Sequence, residues 1–170
     1  KWSHKVNLFP VSGISSQDLA LGTPAKAQGR EFSVLTAGSL IRVKGFGLAV
    51  KAFKLFADKH QDSRLTIAGE GPEERRLRGL IRQSNLESRV DLLGAVPRDS
   101  LLSRMASSDV LLFPSLRDGG GTVVIEAMAA AKPVVCLDIG GPGMHINEEC
   151  GIKVTPRSPE ETVEELAGAL

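Results

Sequence analysis

The sequence has no tyrosine, one tryptophan and six phenylalanines among its 170 residues. Single-stranded nucleic acids are held on aromatic platforms within a basic groove. This chain offers neither: 21 Lys and Arg stand against 20 Asp and Glu, for a net charge of +1. No nucleic-acid partner is expected. Cysteine is scarce, and Cys136 and Cys150 lack CxxC spacing, which removes zinc and dithiol redox motifs. Both read as buried free thiols of a reducing compartment. Histidine is scarce too. His4, His60 and His145 are far apart, metal-ligand spacing is absent, and no metal is expected. His145, after "GGPGM", reads as a surface or helix-start residue. No GxSxG and no GxxxxGK(S/T) occurs, so a triad hydrolase and a P-loop nucleotidase are both unsupported. The longest apolar runs are strand-sized and broken by Pro, Lys or Asp, too short to cross a bilayer. The opening "KWSHKVNLFP" lacks the apolar core of a secretory signal. A cytoplasmic protein is the expectation.

An apolar content of 42% is ample for one globular domain of this length. Residues 1–30, rich in Ser, Gly, Pro and Ala without a period, read as a lead-in or linker. From Glu31 onward, short apolar runs alternate with helical patterns. "FSVLTAG", "RLTIAG", "VDLLG", "DVLLFP", "PVVCLD" and "GIKVTP" have the length and composition of buried strands. Between them, residues 44–60 place Leu48, Ala52, Phe53 and Phe56 at helical spacing. "PEERRLRGLIRQSN" reads as a helix with Pro72 at its first position, "RDSLLSRMASS" as a short helix, "GTVVIEAMAAA" as another, and "GGPG" as a turn. "SPEETVEELAGAL" opens a helix with a serine cap, and the chain stops inside that pattern, which reads as a domain over 31–170 cut short at its C-terminus. The implied fold is α/β: a Rossmann-like three-layer sandwich of about six parallel strands with helices on both faces. Ligands of such sheets bind beyond the carboxyl ends of the strands.

At one such end stands "SLRDGGGTVVIEAMAAAKPVVCLD". Asp118 precedes three glycines, Gly119, Gly120 and Gly121, and Thr122 opens a helix that carries Glu126 among apolar neighbours. A helix start presents unpaired amides and partial positive charge, and glycines let that backbone approach an anion, so the motif suits phosphate. A tight strand–helix turn needs only one such glycine. Glu126 is either a residue of the solvent stripe or a buried carboxylate accepting sugar or ribose hydroxyls. Arg42 and Lys44, after the first strand, are placed to neutralise a diphosphate. "AGEGPEE" carries Glu73 where a dinucleotide fingerprint has Gly or Ala.

The order "VLTAGSLIRVKG", "LTIAGEGP", "VDLLGAVPRDSLLSRMASSDVLLFPS", "RDGGGTVVIEAMAAAKPVVCLDIGG" and "CGIKV" resembles the C-terminal, donor-binding half of a GT-B glycosyltransferase of the retaining family 4 type. "KVNLFPVSGIS" resembles the interdomain segment before that half. The family's two carboxylates are separated by seven residues, as are Asp118 and Glu126, with Asp in place of the usual first Glu. The resemblance implies that Glu126 holds the ribose of a nucleoside-diphosphate sugar, that Asp118 faces the donor sugar, and that the Gly120, Gly121 and Thr122 amides meet sugar and diphosphate. Lys44 matches the lysine of the family's KG element. Ser39 stands where an arginine usually follows Gly38, with Arg42 as a substitute, and Met144 replaces a common Glu.

The function so implied is transfer of a hexosyl group from the sugar nucleotide to a hydroxyl acceptor, without metal or other cofactor. The acceptor, a glycan or lipid, would be bound by an N-terminal domain, the fragment alone would be inactive, and the whole protein could sit peripherally on the inner face of the membrane. A catalytically silent sugar-nucleotide-binding module and a nucleotide-sugar epimerase of the same architecture are the alternatives.

Overall fold

Each of the six apolar runs forms a strand: β1 Phe32–Ala37, β2 Ser63–Ala68, β3 Val90–Leu92, β4 Val110–Phe113, β5 Val134–Leu137 and β6 Gly151–Val154. This computed structural model describes residues 31–170; the lead-in over 1–30 lies outside them. The strands make one parallel sheet in the order β3-β2-β1-β4-β5-β6. β4 and β5 are buried along their whole length, which is why their sequences, VLLF and VVCL, are continuously apolar rather than alternating.

Helices cover both faces. On one lie α1 Phe46–Lys59, α2 Glu74–Gln83 and α6 Pro159–Ala169, packed through Phe53, Leu77 and Leu166 onto Val34, Ile67, Leu112 and Val135. On the other lie α3 Arg98–Ser107 and α4 Thr122–Ala129, packed through Met105, Val124 and Ala127 onto Leu35, Leu111, Phe113 and Cys136. Alternate residues of β1 and β4 thus feed different cores, as the pleat requires. Each fully buried Leu or Phe contributes about 1.5–3 kcal/mol of burial free energy.

Two local expectations are adjusted and a third holds. Pro72 is not the first residue of α2: Pro72 and Glu73 form a turn and the helix begins at Glu74, with the Glu73 amide donating to the Leu40 carbonyl at 2.9 Å. "GGPGMH" is not a plain turn but a short helix, α5 Gly140–His145. The serine cap holds: Ser158 and Glu161 form a reciprocal capping box, with Pro159 in the first turn.

Cys136 is buried, whereas Cys150 is only half-buried, because it lies in the turn before β6, its Sγ 3.2 Å from Asn147 Oδ1. Burial, with the nearby Asp138 charge, pushes the Cys136 thiol up to about 11. A thiol reagent at pH 8 is therefore expected to label Cys150 readily and Cys136 only after denaturant is added, since the thiolate is the reactive form. Mass spectrometry of the labelled chain counts the two; rapid double labelling of the native protein would contradict the burial.

Candidate functional site: a glycine loop at the switch point

β1 has β2 on one side and β4 on the other, so the loops after β1 and β4 leave the sheet together where the strand order reverses. They are joined directly. The Leu116 amide donates to the Val43 carbonyl at 2.8 Å, and a Cβ on Gly45 would lie 1.9 Å from the Pro114 oxygen. Gly45 adopts φ 71° and follows a 3-10 turn over Arg42–Lys44. That turn delivers Lys44 to the β4 loop, where its Nζ stands 5.9 Å above the Phe113 ring and 2.5 Å from Asp118 Oδ2.

The other carboxylate oxygen of Asp118 accepts the Gly121 amide at 2.7 Å and the Gly120 amide at 3.1 Å. A short Asp side chain closes this loop onto its own backbone two and three residues on. Gly120 and Gly121 are therefore engaged by Asp118, and Gly121, in the left-handed region at φ 60°, leads into α4 with no side-chain cap. Thr122 and Gly119 are exposed. Behind the loop, α5 presents two glycines. The Gly141 amide donates to the Asp118 carbonyl at 2.9 Å, and Cβ atoms on Gly140 and Gly141 would lie 2.4 Å and 2.6 Å from the Asp118 and Gly119 oxygens. The "GG" turn thus serves close approach of two loops. His145 completes the contact, its Nε2 lying 3.0 Å from the Gly120 carbonyl.

Burial works to raise the Asp118 pKa, but the Lys44 ammonium and the Gly121 and Gly120 amides outweigh it and hold the carboxyl below its ordinary value of 3.8. A depressed native pKa contributes stability that is complete above the unfolded value and is lost as pH falls through the native one. Urea unfolding of the wild-type chain is accordingly expected to weaken more between pH 5 and pH 2.5 (about the carboxylate range) than that of Asp118→Asn. Parallel curves for the two would show that the loop contacts contribute nothing to the acid limb.

Glu126, on the second turn of α4, is 6% exposed, so it does not belong to a solvent stripe. A buried carboxylate needs a partner, and the partner is Arg98 at the start of α3, whose Nε lies 3.1 Å from Glu126 Oε1. Sequence reasoning did not single out Arg98: nothing local marks a residue paired across 28 positions of chain.

Around Gly38 and Ser39 a cavity of about 250 Å³ is also lined by Ala68, Gly69, Glu70, Ala95, Val96 and Leu101. It occupies the carboxyl ends of β1, β2 and β3, beside the glycine loop in the sheet order. Gly69 is pressed against Gly38, where a Cβ would meet the Gly38 oxygen at 1.9 Å. Arg42 is not brought to this group. It lines a separate cavity with Lys51, Arg76 and Arg157, beyond the turn from Lys44. Among the described residues no cluster of three or more His, Cys, Asp or Glu could hold a metal ion, and no helix is long and apolar enough to cross a membrane.

A parallel sheet of this order, with a glycine-entered helix at its switch point, defines a Rossmann-like α/β domain that matches GT-B glycosyltransferase structures. The chain belongs to the family of glycosyl transferases group 1, whose model matches residues 24–170. It is 32% identical over 160 residues to an uncharacterized glycosyltransferase of Methanocaldococcus jannaschii, covering 94% of this chain and 37% of that one. To the GPI3 subunit of phosphatidylinositol N-acetylglucosaminyltransferase of Saccharomyces cerevisiae it is 27% identical over 140 residues, covering 80% and 31%. The structure of sucrose-phosphate synthase from Thermosynechococcus elongatus superposes with a TM-score of 0.71 at 31% identity, over 82% of this chain and 35% of that one. The chain spans about a third of the length of these curated relatives.

Proposed function

We propose that this chain is the C-terminal, donor-binding half of a retaining, family 4 glycosyltransferase that moves a hexosyl group from a nucleoside-diphosphate sugar to a hydroxyl acceptor. The observation that carries the reading is the convergence of Lys44, Asp118 and the Gly120–Gly121 amides on one point at the switch of the sheet, with buried Glu126 four residues into the same helix from Thr122. Lys44 and the first turn of α4 are a cation and a set of donors that would take the charge developing on the diphosphate as the glycosidic bond breaks. No metal is needed for that role.

Asp118 now holds those same groups. Donor phosphate would displace its carboxylate from the amides, leaving Asp118 to accept a hydroxyl of the transferred sugar. Glu126, oriented by Arg98, keeps its second oxygen for ribose hydroxyls. The cavity at Gly38, Ser39, Gly69 and Val96 has the place and size to receive a nucleobase against backbone groups. Arg42 lines a different cavity, with Lys51, Arg76 and Arg157, so in this reading the diphosphate clamp rests on Lys44. The acceptor, glycan or lipid, would be held by another domain, and this chain alone would turn nothing over.

Calorimetric titration with UDP, GDP and ADP tests the reading. One nucleotide is expected to bind saturably, and Lys44→Ala to weaken it about 10-fold or more, the scale of one charge-assisted hydrogen bond. Binding by the wild type that is indifferent to both Lys44→Ala and Glu126→Ala would place the ligand elsewhere and overturn the assignment.

A further inference from the structure

We infer that His145 is a positioning residue for the glycine loop, a role that rests on the donor-site reading for its purpose but not for its geometry. The Nε2 atom of His145 lies 3.0 Å from the Gly120 carbonyl oxygen. That oxygen can only accept, so Nε2 carries the proton and the ring donates. The same peptide unit bears the Gly121 N–H on its opposite edge, because a trans peptide points C=O and N–H in opposite directions. That N–H donates to Asp118 Oδ1 at 2.7 Å. Histidine and carboxylate therefore grip one peptide plane from its two ends. A bond to the carbonyl polarises the unit and strengthens the donor on the far side.

The fit around the ring is specific. A Cβ on Gly121 would come within 3.2 Å of His145 Cδ2 and 3.3 Å of the Pro142 nitrogen, and the φ of 60° itself favours glycine, so a side chain at 121 would crowd the imidazole. Gly120 and His145 are both exposed, where a hydrogen bond adds little to global stability. Its effect falls instead on orientation: three consecutive glycines have the widest choice of backbone conformations, and this bond selects the one in which the Gly121 amide faces the anion site. Among the described residues no hydrogen bond joins His145 to the Lys44 or Asp118 side chain, and it acts through the Gly120–Gly121 peptide.

Two variants of the 170-residue chain separate donation from packing. His145→Gln places an N–H at the same number of bonds from the backbone, and His145→Phe keeps the ring and removes the donor. In nitrogen-15 spectra the wild-type imidazole is expected as the Nε2–H tautomer. The Gly121 amide signal should stay near its wild-type position in His145→Gln and move upfield in His145→Phe, with hydrogen exchange faster by roughly 3–10-fold, the span of one neutral hydrogen bond. Nucleotide affinity, for whichever of UDP, GDP or ADP binds the wild type, should fall by a similar roughly 3–10-fold factor in His145→Phe and recover in His145→Gln. An Nδ1–H tautomer, or a Gly121 amide unmoved in His145→Phe, overturns the inference. So does nucleotide binding that His145→Phe leaves unchanged. If no nucleotide binds the wild type, the donor-site reading fails by itself, and the spectra alone decide the role of His145.

Discussion

Replacing Gly45 by alanine is expected to remove roughly 2–5 kcal/mol of folding stability, the sum of a left-handed conformation forced on a Cβ and an overpacked contact. The backbone there has φ 71°, and the added methyl would sit 1.9 Å from the Pro114 carbonyl oxygen. Neither partner is the far end of a flexible side chain, so relief requires moving the β4 loop away from the start of α1. That movement carries Lys44 off Asp118 and breaks the amide of Leu116 from Val43. Urea unfolding checks it: the midpoint should fall sharply while the slope stays near the wild-type value. Gly79 is the internal control, since nothing lies within 4 Å of a Cβ built there and it sits inside α2. Gly79→Ala should raise stability by about 0.5–1 kcal/mol through helix propensity. Equal effects at the two positions would mean that the loop junction tolerates displacement, contrary to the close approach of the two backbones.

Arg98→Ala is the second large effect. The variant leaves the Glu126 carboxylate, 6% exposed, without the guanidinium 3.1 Å away. An unpartnered buried acceptor costs about 1–3 kcal/mol, and more when charged. Half of the Arg98 side chain faces solvent, 45% against 7% for Glu126, so water can reach the carboxylate once the arginine is gone, and the lower part of that range applies. Arg98 has other interactions, so the single variant overstates the pair. A cycle with Glu126→Gln isolates it. The coupling is expected at about 1 kcal/mol or above, with Arg98→Ala costing clearly less in the Gln background. Additive losses would show that Glu126 is satisfied by something other than Arg98. The two variants also differ in what they do to a ligand: Glu126→Gln retains hydrogen-bonding capacity toward hydroxyls, while Arg98→Ala lets the carboxylate drift.

What the sequence disclosed and what it hid follow one physical division. All six strands were legible as short apolar-rich runs that end near Gly, Pro or Asp, as "VLLFP" and "VVCLD" do, and β4 and β5, buried at every position, are apolar throughout. α1 was legible from the spacing of Ala52, Phe53 and Phe56, and α6 from its serine and proline. α5 was not. Three glycines and a proline in "GGPGMH" have poor helix propensity, and the helix exists because only those small residues let it lie against the carbonyls of Asp118 and Gly119. The approximate address of the site was readable from the glycines, Lys44 and the two acids. The long-range pairing within it was not: Arg98 with Glu126 and His145 with Gly120 join residues 28 and 25 positions apart, contacts the chain makes only after folding. Arg42 shows the reverse case. It is two residues from Lys44 in sequence, yet Lys44 meets Asp118 while Arg42 lines a cavity with Lys51, Arg76 and Arg157.

The central position of β1 has a consequence for the order of assembly. Its first neighbour, β2, follows after one helix, with Val34 beside Leu65. Its second, β4, brings Val110 beside Val34 only after 76 further residues. As the chain emerges during synthesis, β1, β2 and β3 with their helices can associate early, since their contacts are short-range. Until residues 110–113 arrive, one edge of β1 stays open to other chains, the condition in which partly folded proteins aggregate. The Ser33 amide is closed only when the Asp109 carboxylate reaches it, at 2.8 Å in the finished fold. The glycine loop thus begins to form in the step that covers the open edge of β1, and it is completed only when α5 brings the Gly141 amide to the Asp118 carbonyl and His145 to the Gly120 carbonyl.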